Sequence, residues 1–168
     1  MEAGGVDTAR VAAAVEHADI GLAQHAVLRT QHRKVLAWHG LPLAVRCRVL
    51  VAAGWKPGFS TDFDAVVLAE RFEAKTVINL SNIAQVYTDD PKKNPDARPL
   101  EAVSWPEFQK IVGTEWNPGL NAPFDPVATK KAAELGLSVY VAAGSDLPNL
   151  DKILRGQPFF GTVIGDRP

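Results

Sequence analysis

The sequence predicts an α/β layered fold, and three observations predict it. Short apolar runs at residues 49–53, 76–80, 138–143 and 161–164 have the length and the Val, Ile and Ala content of buried strands. Between them lie segments of helical period with recognisable starts and stops, the alternation expected of helices packed on a sheet. Twelve prolines and thirteen glycines punctuate the chain, as a fold of short alternating elements requires at its junctions.

Composition narrows the classes of function. A chain of 168 residues, 46% hydrophobic and 22% charged, has the size and balance of one globular domain. Cys47 is the only cysteine, which rules out a disulfide within the chain and fits a reducing, cytoplasmic setting. Net charge is −1 with Lys and Arg scattered, so a nucleic-acid partner is not expected. No apolar run is long enough to span a bilayer, and the opening MEAGGVDTAR lacks the apolar core of a signal peptide, so no membrane partner is expected either. No Cys/His spacing suggests zinc, and no metal site made of protein ligands is expected.

Taken in order, Asp7 precedes an Ala-rich stretch over 9–17 that reads as a helix, and a polar second helix follows to about Trp38. His39-Gly40-Leu41-Pro42 is a turn, and 43–53 ends as a strand. A Gly/Pro loop, Gly54-Trp55-Lys56-Pro57-Gly58-Phe59, leads through Ser60 into a helix over 61–72, with Ala65, Leu68, Ala69 and Phe72 at helical spacing. After the strand 76–80, residues 89–98 form a Pro/Lys/Asn loop. Ser104 opens a helix, with Glu107 at the capping-box position, that lasts to about Val112. Residues 113–126 read as an extended loop. Asp125-Pro126 supply a cap and a first-turn proline for a helix that reaches Leu135 and closes at Gly136. Strand 138–143 follows, Gly144-Ser145-Asp146 cap a short helix to Arg155, and 161–164 is a last short strand.

Two junctions carry candidate chemistry. At the first, Gly58 permits close approach of backbone to a ligand, while Ser60 and Thr61 place hydroxyls at a helix start, where free N–H groups favour anions. Asp62 either caps that helix or meets a sugar hydroxyl or a metal-bound phosphate. The same residues also describe a plain capped helix after a tight loop, and the pattern alone does not choose. At the second, Ser81-Asn82, Tyr87 and Asp90-Pro91 follow a buried strand, where polar groups meet a nucleotide's ribose or base and a tyrosine can stack; a turn with an ordinary Asp-Pro exit has the same residues. Gly4-Gly5 before a helix, with Arg10 one turn in, is a weaker phosphate signal. His17, His25, His32 and His39 have no carboxylate at a fixed offset and read as surface histidines. Trp105 and Trp116 read as packing or subunit contacts.

The strings GWKPGFSTD, VINLSNIAQVYTDDPKKNPDA, NAPFDPVATKKAAELGL and GTVI resemble the amino acid kinase superfamily, and within it the UMP (uridylate) kinases of archaeal-like type, over residues 49–164. The resemblance implies a three-layer α/β/α fold with a mainly parallel sheet, and phosphorylation of UMP to UDP by ATP with Mg²⁺ in pyrimidine nucleotide biosynthesis. It implies that Gly5, Trp55, Lys56, Pro57, Gly58, Phe59, Ser60 and Thr61 line the UMP site. Arg10, Ser81, Asn82, Tyr87 and Asp90 would hold ATP, and Asp62 and Asp125 would be the catalytic acidic residues. It implies a homo-oligomer, hexameric in relatives.

The resemblance also carries a departure. The family's first strand and glycine loop are missing, so residues 1–168 are expected to form one incomplete amino acid kinase domain. Within it, 1–48 would be a divergent remnant of the UMP-side half and 49–164 the nucleotide-binding portion. Two other readings stay open on the same fold: a catalytically impaired nucleotide-binding remnant, and an anion-storage or assembly protein.

Overall fold

The structure, a computed structural model, describes residues 11–15, 59–113, 115 and 122–165. In chain order its elements are β1 (Val11–Val15), α1 (Thr61–Arg71), β2 (Thr76–Ser81), β3 (Val86–Tyr87), β4 (Pro99–Leu100), β5 (Ala102–Val103), α2 (Trp105–Val112), α3 (Pro126–Glu134), β6 (Ser138–Ala143), α4 (Leu147–Leu154) and β7 (Thr162–Ile164). The main sheet has the order β1-β2-β6-β7-β5, and β3 and β4 form a separate antiparallel hairpin.

β2 is the centre. All six of its residues are buried, which is why Thr76-Val-Ile-Asn-Leu-Ser81 reads as a nearly unbroken apolar run instead of an alternation. β1 and β6 pair with it in parallel on either side, Ala13 opposite Ile78 and Tyr140 opposite Ile78. β5 is parallel to β7, while β7 is antiparallel to β6, so the sheet is mainly parallel with one reversal.

Alternate residues of β2 and β6 serve different cores. Val77, Val139 and Val141 face the larger cluster, built with Ala65, Val66 and Ala69 of α1, Trp105 and Phe108 of α2, Phe124, and Ala128 and Ala132 of α3. Ile78, Leu80 and Ala142 face the other way, against Ile153 of α4 with Tyr140, Leu150 and Phe159. Helices therefore cover the sheet on both faces, which is the expected three-layer arrangement. Trp105 belongs to the core and donates its indole N–H to the Leu137 carbonyl at 3.1 Å, so the packing role expected of it holds.

Several expected boundaries hold within a residue. α1 stops at Arg71, and Gly136, with φ of 61°, takes the left-handed position that ends α3. The expected capping box is present: Glu107 Oε2 accepts the Ser104 N–H at 3.3 Å and its hydroxyl at 2.7 Å. One expectation is wrong. Residues 9–17 read as a helix on their alanines, but Val11–Val15 form a strand. Helix propensity is a weak term beside a row of unpaired peptide groups along β2, and pairing with that edge decides the outcome. The hairpin β3–β4 and the two-residue β5 were also not expected; at two residues each they fall below what periodicity detects. The expected strand 49–53, the helix ending near Trp38, the loop 54–58, the four histidines and Trp116 lie outside the described residues. Among the described residues no helix is long and apolar enough to cross a membrane.

Two measurements test this packing. A Cβ built on Gly161 would lie 2.5 Å from the Val141 carbonyl oxygen and 2.6 Å from the Phe159 ring. Gly161→Ala should therefore cost about 1–3 kcal/mol, read as a lower urea midpoint at unchanged m-value. The Ser104 hydroxyl, then the Ser104 N–H, holds the Glu107 carboxyl below its ordinary value of 4.5. A lowered folded pKa means that this group's stabilisation is complete above that ordinary value and is lost as pH falls through the lowered one. Glu107→Gln should remove that share of the acid limb, seen as a shallower fall of melting temperature below pH 4.5 than in the wild type.

Candidate functional site

Peptide direction decides where the site is. α1 runs back into β2 through a short turn, and α3 runs back into β6 in the same way. Since β2 and β6 are parallel, both helices start at the carboxyl edge of the sheet. α4 follows β6 and starts there too, against the opposite face. Carboxyl edges of parallel strands are where α/β folds receive ligands, and helix starts present unsatisfied N–H groups to them.

At the first junction the start of α1 is capped from its own loop. Ser60 caps α1, its Oγ accepting the Phe63 N–H at 3.1 Å. Phe59 is exposed and leans on Phe63, ring centroids 5.1 Å apart. Thr61 is exposed on the first turn, and Asp62 and Asp64 are buried beneath it. Gly5, Arg10, Trp55, Lys56, Pro57 and Gly58 lie outside the described residues.

Asp62 and Asp125 meet, although 63 positions separate them in the chain. Asp62 Oδ2 accepts the backbone N–H of Asp125 at 2.9 Å, in a buried setting. Asp125 in turn caps α3, its Oδ1 accepting from Val127 at 2.6 Å and Ala128 at 3.0 Å. One carboxylate thus anchors the start of α3, and the second satisfies the N–H groups that the start leaves over. At the far end of the same helix pair Lys131 meets Glu70 at 2.7 Å, a partly exposed ion pair worth little by itself.

The second junction follows β2 directly. Ser81 is buried, and its hydroxyl donates to Asn82 Oδ1 at 3.3 Å. The Ser81 carbonyl accepts the Gly144 N–H at 2.8 Å, which joins the ends of β2 and β6. Tyr87 is half-buried in β3. Asp90 organises the turn that follows. Its Oδ1 accepts from the Lys92 N–H at 3.0 Å, its carbonyl accepts from Lys93 and Asn94, and its Oδ2 lies 3.5 Å from the Lys93 ammonium. Asp89 closes the same turn, accepting from the Asn94 side chain and the Asp90 N–H, and both bonds hold its carboxyl below its ordinary value.

Sequence reasoning missed the residue between the two junctions. Asn79, two places before Ser81 on the same face of β2, is 1% exposed. Its Nδ2 donates to the Pro123 carbonyl at 3.0 Å, fixing the segment that leads into Asp125. Its Oδ1 has no hydrogen-bond partner among the described residues. The signal was a polar amide in the middle of VINLS, where burial on both faces makes it costly.

With this geometry in place, comparison with known proteins is decisive for the family. Residues 12–143 match the model of the amino acid kinase family. The chain belongs to that family. It is 34% identical over 122 residues to a uridylate kinase of Pyrococcus abyssi, covering 72% of this chain and 53% of that protein. A uridylate kinase of Methanospirillum hungatei is 31% identical over 161 residues, 95% of this chain and 66% of that protein. The crystal structure of uridylate kinase from Archaeoglobus fulgidus superposes with a TM-score of 0.60 at 34% identity, over 70% of this chain and 52% of that one. The chain spans about half the length of most of the curated relatives it matches. The mainly parallel α/β fold of the amino acid kinases is therefore this chain's fold.

The shared bond at the helix starts yields a stability test. Asp62→Ala leaves the buried Asp125 N–H without its acceptor and should cost about 1–3 kcal/mol. Asp62→Asn keeps an acceptor oxygen and should cost less, with urea unfolding of the two variants as the measure.

Proposed function

We propose that this chain is a UMP kinase of the amino acid kinase family, transferring the γ-phosphoryl group of ATP to UMP. The observation that carries this reading is the meeting of two helix starts at the carboxyl edge of the sheet, where Asp62 binds the Asp125 N–H at 2.9 Å. It lies beside the Ser60 and Thr61 hydroxyls, in a chain 34% identical to a uridylate kinase.

In this reading a phosphate oxygen of UMP attacks the γ-phosphorus of ATP. The bond from that phosphorus to the β,γ-bridging oxygen breaks, and ADP leaves with UDP formed. The attacking phosphate is already anionic, so no strong base is needed, and catalysis consists of positioning and charge stabilisation. Ser60, Thr61 and the loop 55–59, with Gly5, take the UMP side. Ser81, Asn82, Tyr87, Asp90 and Arg10 take the ATP side. Asp90 would do so from a turn that its own carboxylate helps to shape, accepting the Lys92 N–H at 3.0 Å.

Asp62 and Asp125 act as the organising acidic pair at the transfer point. Among the described residues no group of three or more His, Cys, Asp or Glu could hold a metal ion. Mg²⁺ arriving with nucleotide takes one or two protein carboxylates and otherwise phosphate oxygens and water. When bound, Mg²⁺ would neutralise phosphate charge, and Asp62 and Asp125 are the carboxylates that would hold it. We further assign the chain to one amino acid kinase domain with its nucleotide-binding portion at 49–164, working in the cytoplasm as a homo-oligomer in pyrimidine nucleotide synthesis.

Two experiments decide. A coupled ADP-release assay should give ATP turnover that depends on UMP and exceeds background; nucleotide binding without turnover would leave only the impaired, binding module. Ser60→Ala with Thr61→Val should weaken UMP affinity about tenfold or more, as loss of hydroxyl donors to a charged phosphate requires. It should also cost about 1 kcal/mol through the lost cap of α1. Calorimetry that finds UMP affinity unchanged in this double variant would refute the assignment of the UMP side.

A further inference from the structure

One hydroxyl ties the β3–β4 hairpin to the last strand of the sheet. Thr162, at the start of β7, is fully buried. Its Oγ1 accepts the Val86 N–H at 2.8 Å and donates to the Leu100 carbonyl. Val86 and Leu100 are register partners, so this hydroxyl closes the root of the hairpin across both of its strands. The neighbouring residue adds a second tie, because the Gly161 carbonyl accepts from the buried Gln85 Nε2 at 3.1 Å. Gly161 is closely packed, with no room for a Cβ between the Val141 carbonyl and the Phe159 ring. Asn149 of α4 holds the approach to this pair, its side chain accepting from the Phe160 N–H at 2.9 Å and donating to the Phe160 carbonyl at 2.6 Å.

Tyr87 is the residue after Val86, and Thr88 to Arg98 close the turn beyond it through the Thr88 N–H and the Arg98 N–H. The turn is closed by its own hydrogen bonds, and the ties to β7 meet it at its root. We propose that Thr162, with Gln85 as its second tie, is the positioning residue of the ATP side: it sets where Tyr87 and the Asp90 turn stand relative to the carboxyl edge of β2. Neither residue touches nucleotide in this proposal, which rests on the UMP kinase reading above for the identity of the ligand.

The test uses the full chain and three variants, with ATP and UMP affinities measured separately by calorimetry. Thr162→Val keeps the shape and removes both hydrogen bonds. It should weaken ATP binding about tenfold and leave UMP binding unchanged. Thr162→Ser keeps the hydroxyl and should restore ATP affinity. Amide exchange over 86–100 should quicken in Thr162→Val while α1 and α3 keep their protection. ATP affinity that ignores the loss of the hydroxyl overturns the proposal, and so does a parallel loss for UMP, the mark of general unfolding. Should Thr162→Val fail to fold, Gln85→Leu carries the same decision: a selective loss for ATP supports the latch, and no loss or a parallel loss overturns it. A wild-type chain that binds no ATP brings down the UMP kinase reading and this proposal together. ATP binding indifferent to Thr162 brings down this proposal alone.

Discussion

The hydrogen bond from the Asp125 N–H to Asp62 Oδ2 carries more of this architecture than its 2.9 Å suggests. Two helices that start at the same sheet edge point their free N–H groups, and the positive ends of their dipoles, into one region. Two buried carboxylates neutralise that arrangement. Each is employed at a helix start, Asp62 bridging from α1 to α3 and Asp125 turning back onto α3. A buried carboxylate without such donors would be expensive, and a pair of helix starts without an acceptor would leave orphaned N–H groups. The cost of each feature is met by the other. The small residues that line the same helices, Ala65 and Ala69 against Ala128 and Ala132, belong to one core and let the two axes approach.

Asn79 extends this logic into the sheet. β2 delivers it from the middle of a buried strand to the Pro123 carbonyl, so the segment before Asp125 is held from beneath while Asp62 holds it from the side. The functional candidates at the end of β2 thus share a strand with a residue that braces the opposite junction. Both halves of the proposed nucleotide site are referenced to β2, the most thoroughly buried element described.

Much of this was legible from local chemistry. Ser60, Ser104, Asp125 and Asp146 are caps, and capping is a short-range affair of side-chain oxygens and nearby N–H groups. Strands 76–81 and 138–143 announce themselves because burial on both faces demands continuous apolar residues. What was not legible depends on partners distant in the chain. Val11–Val15 is a strand because β2 offers an edge, a fact absent from its own alanines. The Asp62–Asp125 bond and the Thr162 tie span 63 and 76 positions, and no spacing rule reaches that far. The Asp90 carboxylate also shapes its own turn through the Lys92 N–H, a bond that the Asp-Pro pattern does not announce. The family resemblance reached the correct superfamily through motif strings whose local chemistry alone left a capped helix as an equal reading at the first junction and an ordinary turn as the commoner one at the second.

The reversal of β7 has a consequence for synthesis. The hairpin at residues 86–100 leaves the ribosome before residue 162, yet the Val86 N–H and the Leu100 carbonyl at its root are tied by that late hydroxyl. Until then the Val86 amide and Leu100 carbonyl must make do with water. Contacts of such separation close slowly, after the loop entropy between them has been overcome. The nascent polypeptide therefore passes through a stage in which α1 and α3 can already pack on β2 while the 86–100 hairpin still lacks its tie to β7. The hairpin takes its final seat on the sheet only once residue 162 has emerged.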